Sequence, residues 1–295
     1  MKISFIITWS STVSTYGGRT VEHPYKPDPV QDEKLYKTTV NLIESISNIN
    51  LNKEIILVDN SGDFNYTNKF LTVLKGPQIW TDSDTMPDWL LKVKDLDNLD
   101  KKDNLGIKLF DPHRNQAAFT SLAYQMGLEY SSGDVVVMQH NDTVYLKNFY
   151  DPTELISDIS ALIVKQGYSY VTVDKKHKKD SKNEIQEELD YFADLYWFMC
   201  KRDFYDRNNI YIDWIRGDSN HLATIHCYKN NLKFLHLPGF YEDKSLYYKP
   251  EVLDRYFPVL SKMRANIHTF NDIPFLLHYK GGTGLNSISI YDSSL

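Results

Sequence analysis

The sequence predicts an α/β protein with one mostly parallel sheet and helices on both faces. Short apolar runs that suit strands alternate with longer segments of helical periodicity along most of the chain. Such alternation favours a parallel sheet, because each helix returns the chain to the same end of the sheet. The run 135–138 has three valines and a methionine, which suits an interior strand covered on both faces.

The elements follow in this order along 295 residues. The predicted strands cover 3–8, 54–59, 106–110, 135–138, 168–173, 196–200 and 233–236. The predicted helices cover 32–49, 88–97, 116–130 and 218–230. Two connections are long, at 8–31 and 61–112. We assign residues 1–240 to the α/β domain. We assign residues 241–295 to a C-terminal extension, which we expect to close over the ligand-binding site of that domain.

Apolar spacing supports the two best-defined helices, since residues three and four apart share one helix face. In the helix over 32–49 the apolar positions are Leu35, Val40, Leu42, Ile43 and Ile46. In the helix over 116–130 they are Ala118, Phe119, Leu122, Met126 and Tyr130. The strands are instead short apolar runs bounded by turn residues, such as the Gly133 that precedes the run 135–138.

A group of polar side chains follows the predicted strand 135–138. His140, Asn141 and Asp142 lie at the carboxyl end of that strand, where open α/β sheets bind their substrates. Asp142 can ligate a hard divalent cation, and such a cation can hold a diphosphate. The alternative is a surface turn after a core strand, because Asn-Asp pairs are common in turns.

Composition and missing motifs exclude several classes of protein. A net charge of −6 argues against non-specific nucleic-acid binding. Two cysteines are too few for a disulfide framework, and no stretch approaches the roughly 20 apolar residues of a membrane span. The first strand is not followed by the Gly-x-Gly-x-x-Gly pattern of a dinucleotide-binding dehydrogenase. We expect a cytoplasmic protein with no nucleic-acid partner and no membrane span.

The motifs, in this order and strand context, resemble those of the GT-A glycosyltransferases, in particular family 2. The resemblance covers about residues 1–240 and rests on the strand 3–8, the strand 54–59 that ends in Asp59, and the segments 114–118 and 132–134. The family places an Asp-x-Asp metal motif after the next strand. This chain has His140-Asn141-Asp142 there and keeps only the last Asp.

The resemblance implies an inverting transferase that moves a sugar from a UDP- or GDP-sugar to a hydroxyl of a glycan or other acceptor, assisted by Mn²⁺ or Mg²⁺. It implies that Asp142, His140 and His278 are metal ligands. The alternatives are that His140 contacts the donor or marks a site without metal affinity, and that His278 belongs to a core strand followed by a flexible tail. Asp59 would accept a hydrogen bond from the donor's base or ribose, although a turn role is the alternative. The other implied donor-binding residues are Thr8, Arg114, Asn115, Asn141 and Lys280.

The family places the catalytic base at the start of a helix late in the domain. Asp218 follows Gly217 at the start of a predicted helix and matches that position best, while Asp213 is the second candidate. Asp218 is also a favoured type of N-cap residue. Two other functions stay open, namely a sugar-phosphate nucleotidyltransferase and an inactive nucleotide-sugar binding module. The missing first Asp of the metal motif suggests the inactive module.

Overall fold

A seven-stranded sheet forms the centre of the fold in a computed structural model that describes residues 1–11, 29–77, 88–90, 116–176, 191–213, 220–240 and 265–279. In these ranges the strands are β1 (Ile3–Trp9), β2 (Lys53–Asp59), β3 (Leu71–Lys75), β4 (Val135–Gln139), β5 (Thr143–Tyr145), β6 (Tyr170–Lys176), β7 (Tyr191–Lys201), β8 (Leu235–Leu237), β9 (Gly239–Phe240), β10 (Ala265–Phe270) and β11 (Ile273–Tyr279). The helices there are α1 (Pro29–Ser47), α2 (Gln116–Tyr130), α3 (Pro152–Val164), α4 (Phe204–Arg207) and α5 (His221–Lys229).

The large sheet has the strand order β3-β2-β1-β4-β7-β6-β8. Its neighbouring strands run parallel, except that β7 is antiparallel to both β4 and β6. The prediction of a mostly parallel sheet in an α/β fold is therefore confirmed. Because β1, β2 and β4 are parallel, their carboxyl ends meet at one edge of the sheet.

Helices cover both faces of this sheet, as the sequence predicts. Residues of β1 alternate between the two sides, because successive side chains of a strand point to opposite faces. On one side the sheet packs against α1 and α3, with buried contacts from Phe5, Ile7, Ile43 and Ile159. On the other side it packs against α2 and α5, with buried contacts from Ile6, Tyr124, Leu128 and Cys227.

A second, smaller sheet lies beside the carboxyl edge and has the strand order β5-β11-β10-β9. All its neighbouring pairs are antiparallel. It joins a short strand that follows β4 to strands near the C-terminus, so residues far apart in sequence become neighbours. None of the helices in the described ranges is long and apolar enough to cross a membrane.

The observed elements differ from the predicted ones at several places. The helix α1 begins at Pro29, three residues before the predicted start. The strand β3 lies inside the predicted connection 61–112, and its residues are half-exposed or exposed. The helix α5 begins at His221, after Asn220 in a left-handed conformation, so the predicted start at Asp218 is wrong. Residues 88–90 are helical, while 91–97 and the predicted strand 106–110 lie outside the described residues.

Glu54 joins the amino ends of β1 and β2 to the turn before β4. Its carboxylate accepts hydrogen bonds from Lys2 Nζ at 2.6 Å, Ser4 Oγ at 2.6 Å and the Ser132 backbone N–H at 2.7 Å. Burial alone raises the pKa of Glu54, but these hydrogen bonds outweigh that effect and lower the pKa to about 2. The ionised carboxylate therefore stabilises the folded state.

Replacement of Glu54 by Gln should lower the free energy of unfolding at pH 7 by on the order of 2 kcal/mol. The folded pKa lies below the ordinary value of 4.5, so this contribution is present above about pH 4.5 and is lost as the pH falls toward 2. Urea unfolding of both proteins between pH 7 and pH 3 measures it. Glu33→Gln is the control, because Glu33 pairs with Lys37 on the surface, and an equal loss there would contradict the account.

Candidate functional site

Three side chains that can ligate a metal converge at the carboxyl end of β4. His140 and Asp142 lie in the turn between β4 and β5, and His278 lies in β11. Their candidate ligand atoms all lie within 4.8 Å of one another. The convergence follows from the small sheet, in which Thr143 of β5 pairs directly with His278 of β11. The structure thus brings together the three residues predicted as metal ligands.

We call His140, Asp142 and His278 the metal-ligand cluster. Asp142 is its central member. Its Oδ1 lies 3.4 Å from His278 Nε2 and 3.8 Å from His140 Nδ1. Both distances exceed an ordinary N–H···O hydrogen bond, and within the described residues this buried oxygen has no hydrogen-bond partner. Burial raises the pKa of Asp142, but the interaction with His278 and the charge attraction of His140 bring it below its usual value.

The cluster fits a divalent cation. A buried carboxylate oxygen without a hydrogen-bond partner, flanked by two imidazole nitrogens, is the arrangement that a bound cation would complete. Imidazole and carboxylate together suit first-row transition ions. Three protein ligands also leave coordination positions for water or for a substrate's phosphate oxygens.

Aromatic rings hold the two imidazoles of the cluster. The His140 ring lies parallel to Tyr124, with centroids 6.3 Å apart at 11°, and meets the Tyr196 ring edge-on at 4.7 Å. Tyr196 also packs against His278, with ring centroids 3.7 Å apart. One tyrosine of β7 therefore contacts both histidines. Such contacts restrict the ring orientations before any cation binds.

Hydrogen bonds fix the backbone around the cluster. The His140 N–H donates to the Tyr196 carbonyl at 3.2 Å, and the Thr143 hydroxyl donates to the His140 carbonyl at 2.6 Å. Beneath the turn, Trp197 Nε1 donates to the Tyr145 hydroxyl, which donates to Gln139 Oε1 at 2.8 Å. Burial raises the pKa of Tyr145, so its hydroxyl stays protonated and can keep donating.

Asp59 ends β2 at the same edge of the sheet and organises the loop that follows. Its Oδ1 accepts the backbone N–H groups of Ser61 at 2.9 Å and Gly62 at 2.8 Å, and its Oδ2 accepts that of Phe64 at 3.0 Å. The turn role is therefore present, and the donor-binding role stays a prediction.

Asp63 is a residue of this edge that the sequence reasoning missed. Its two carboxylate oxygens accept hydrogen bonds from Trp9 Nε1 at 2.7 Å and from the Ser11 hydroxyl at 2.6 Å. The Ser11 N–H donates to the Ser61 hydroxyl at 2.6 Å. The segment after β1 is thus tied to the loop after β2. An acidic residue four positions beyond a predicted strand end was the only available signal in the sequence.

Three of the remaining predicted site residues lie within the described ranges, and four lie outside them. Thr8, at the end of β1, and Asn141, in the turn after β4, are half-buried at the carboxyl edge. Asp213 is fully buried, and its Oδ2 accepts the Leu222 N–H in the first turn of α5 at 2.6 Å. That contact gives Asp213 a helix-capping role. The predicted residues outside the described ranges are Arg114, Asn115, Asp218 and Lys280.

No protein-family model matches the sequence, and no curated protein matches it either. The matches are to solved structures. The chain is similar to residues 1–349 of S. aureus TarS, with 13% identity, a TM-score of 0.39, and coverage of 88% of this chain and 63% of that one. The chain therefore spans less than two thirds of that TarS fragment.

Two further solved structures illustrate the range of similar proteins. A mutant of Drosophila β1,4-galactosyltransferase 7, solved with manganese, UDP-Gal and xylobiose, has 10% identity, a TM-score of 0.35, and coverage of 80% of this chain and 64% of that one. A 4-diphosphocytidyl-2C-methyl-D-erythritol synthase from Anaerococcus prevotii has 12% identity, a TM-score of 0.36, and coverage of 88% and 96%.

Nucleotide-diphospho-sugar transferases of the GT-A type, which the sequence motifs resemble, are thus among the matched structures. With TM-scores of 0.35 to 0.39 and identities of 10 to 13%, the likeness decides neither the activity nor the substrate. The residues at the carboxyl edge of the sheet are therefore the basis for inferring a function.

Proposed function

We propose that this protein is a metal-assisted glycosyltransferase that moves a sugar from a nucleotide-sugar donor to a hydroxyl acceptor. The observation that carries the proposal is the metal-ligand cluster at the carboxyl end of β4. This edge is where an open α/β sheet binds ligands. A cation held there by side chains from the turn after β4 and from β11 can in turn hold a diphosphate.

The cluster's donor atoms favour Mn²⁺ over Mg²⁺. Asp142 would supply one oxygen, and His140 and His278 would each supply one nitrogen. Mg²⁺ prefers oxygen ligands, whereas imidazole suits transition ions. When bound, the cation would neutralise the negative charge that develops on the departing nucleoside diphosphate.

The donor's nucleoside would lie along the ends of β1 and β2 in this proposal. The loop after β2 is pre-shaped by Asp59 and is tied to the segment after β1 by Asp63. The Asp59 carboxylate would accept a further hydrogen bond from a ribose hydroxyl or a base N–H. Because the loop is already ordered by these hydrogen bonds, donor binding would cost less conformational entropy.

His278, the third residue of the metal-ligand cluster, argues against the alternative of an inactive binding module. The departure from Asp-x-Asp suggested a site that had lost its metal affinity. His278, which is distant in sequence, supplies a ligand to the cluster and supports a functional cation site instead. A nucleotidyltransferase would use a cation at the same edge, but it would release inorganic diphosphate rather than a nucleoside diphosphate.

Nucleotide-sugar binding and product analysis test the proposal. We expect a UDP- or GDP-sugar to raise the melting temperature of the protein in the presence of Mn²⁺ and not in EDTA, because a ligand of the folded state stabilises it. With a competent acceptor, chromatography should then show a nucleoside diphosphate. Release of inorganic diphosphate from a nucleoside triphosphate and a sugar phosphate would instead identify a nucleotidyltransferase. Equal melting temperatures with every donor, with and without Mn²⁺, would contradict both.

A further inference from the structure

His278 has one ring nitrogen in the metal-ligand cluster and one pointing away from it. Its Nε2 lies 3.4 Å from Asp142 Oδ1, and the residue is 3% exposed. Its Nδ1 is buried and has no hydrogen-bond partner among the residues that the structure describes. A buried ring nitrogen of this kind normally has a hydrogen-bond partner.

Asn266 lies directly opposite His278 in the antiparallel pair of β10 and β11. It is 2% exposed, and its Oδ1 is also buried without a hydrogen-bond partner in the described ranges. Directly opposed residues share one face of a sheet, with Cβ atoms about 4.5–5.5 Å apart. A buried acceptor and a buried ring nitrogen that can donate therefore belong to directly opposed residues of two paired strands.

We propose that Asn266 is a positioning residue for the cation site, through a hydrogen bond from His278 Nδ1–H to Asn266 Oδ1. This bond places the proton on Nδ1 and leaves the lone pair of Nε2 directed at the cation beside Asp142. Metal-binding histidines commonly donate their second ring nitrogen to a carbonyl or carboxylate oxygen, which fixes both the tautomer and the ring orientation. The inference rests on the metal-dependent function proposed above.

Two contacts would then fix both the orientation and the tautomer of the His278 ring. The Tyr196 ring packs against its face at a centroid distance of 3.7 Å and restricts the plane of the imidazole. Asn266 would restrict rotation within that plane and select the tautomer. His268 lies two residues beyond Asn266 on β10 and on the same face, so it is the rival partner for Nδ1.

Titration of the full-length protein with Mn²⁺ alone tests this role. Binding is measured as the loss of the free Mn²⁺ signal in electron paramagnetic resonance. Asn266→Leu removes the acceptor at nearly the same volume and should weaken Mn²⁺ binding about 10- to 100-fold, the usual cost of losing such a partner. Asn266→Asp keeps an acceptor oxygen and should retain most of the affinity. A merely structural role would not predict this rescue. Asn266→Ala gives a second measure of the loss should the Leu variant fold poorly.

Two reference variants make each outcome decisive. Asp142→Asn should lose Mn²⁺ binding if the cation site is correct. If Asp142→Asn loses binding while Asn266→Leu and Asn266→Ala bind as the wild type does, the role of Asn266 is overturned and the site stands. If His268→Leu weakens binding and the Asn266 variants do not, His268 is the partner and the assignment is wrong. Wild-type binding no tighter than that of Asp142→Asn would overturn the site and this inference together.

Discussion

Replacement of Asp142 by Asn is expected to abolish Mn²⁺-dependent binding of a nucleoside diphosphate. Asp142 is the central member of the cluster, and its Oδ1 faces both His140 and His278. A neutral amide is a much weaker ligand than a carboxylate. Loss of an outer partner alone costs 10- to 100-fold in affinity, so loss of the central ligand should cost at least about 100-fold. Calorimetric titration with UDP and GDP, each with and without Mn²⁺, measures the change.

The fold of the Asp142→Asn protein should be intact. Asp142 Oδ1 has no hydrogen-bond partner in the described part of the chain, and Asn has nearly the same shape, so the substitution removes only the charge attraction of the two histidines. Asp158→Asn is a matched control, because Asp158 lies on α3 and accepts a hydrogen bond from Tyr150 at the surface. Nucleotide affinity in Mn²⁺ that is equal for wild type and Asp142→Asn would refute the role of Asp142.

Replacement of Asp218 by Asn is expected to lower kcat about 10²- to 10⁴-fold, which is the usual loss when a positioned general base is removed. Asp218 is the predicted base, and it would accept the proton of the acceptor hydroxyl as the sugar's anomeric carbon is attacked. Donor affinity should be kept, because the base acts on the acceptor. Single-turnover rates and donor titration on the same variant separate the two effects.

Asp213→Asn is the informative comparison for the base. The Asp213 carboxylate accepts the Leu222 N–H and is fully buried, and Asn keeps an oxygen for that bond. We therefore expect a near-normal rate for this variant. The helix α5 begins at His221 with Asn220 as its N-cap, and Asp218 lies outside the described residues. If Asp213→Asn is inactive while Asp218→Asn turns over normally, the base is Asp213.

Local patterns in the sequence were sufficient to predict the strands and the helix that lie next to the site. The strands β1, β2 and β4 are short apolar runs, and the helix α2 has the predicted bounds because its apolar spacing is regular. The strand β3 was missed although Leu71, Val73 and Leu74 are apolar, and its residues are half-exposed or exposed because it lies at the edge of the sheet. The start of α5 was misplaced because Asp is a favoured N-cap residue, while the observed cap is Asn220 in a left-handed conformation.

The candidate site was only partly predictable for a different reason. His140 and Asp142 follow a recognisable strand, and His278 was implied by the family resemblance. Its neighbour Tyr196 gave no signal, because it lies on β7 and is distant in sequence from both β4 and β11. Asn266 gave none because the hairpin of β10 and β11 was not predicted. The register that places Thr143 beside His278 depends on more than a hundred intervening residues. No local pattern encodes such a pairing.

Anomalous diffraction from crystals grown with MnCl₂ and UDP is the most direct test of the central claim, namely that the cluster holds a cation for a nucleotide diphosphate. The account predicts an anomalous peak within bonding distance of His140, Asp142 and His278, with diphosphate oxygens completing the coordination. Binding of UDP at this edge with no manganese between these three side chains, or a manganese peak elsewhere with the cluster vacant, would contradict it.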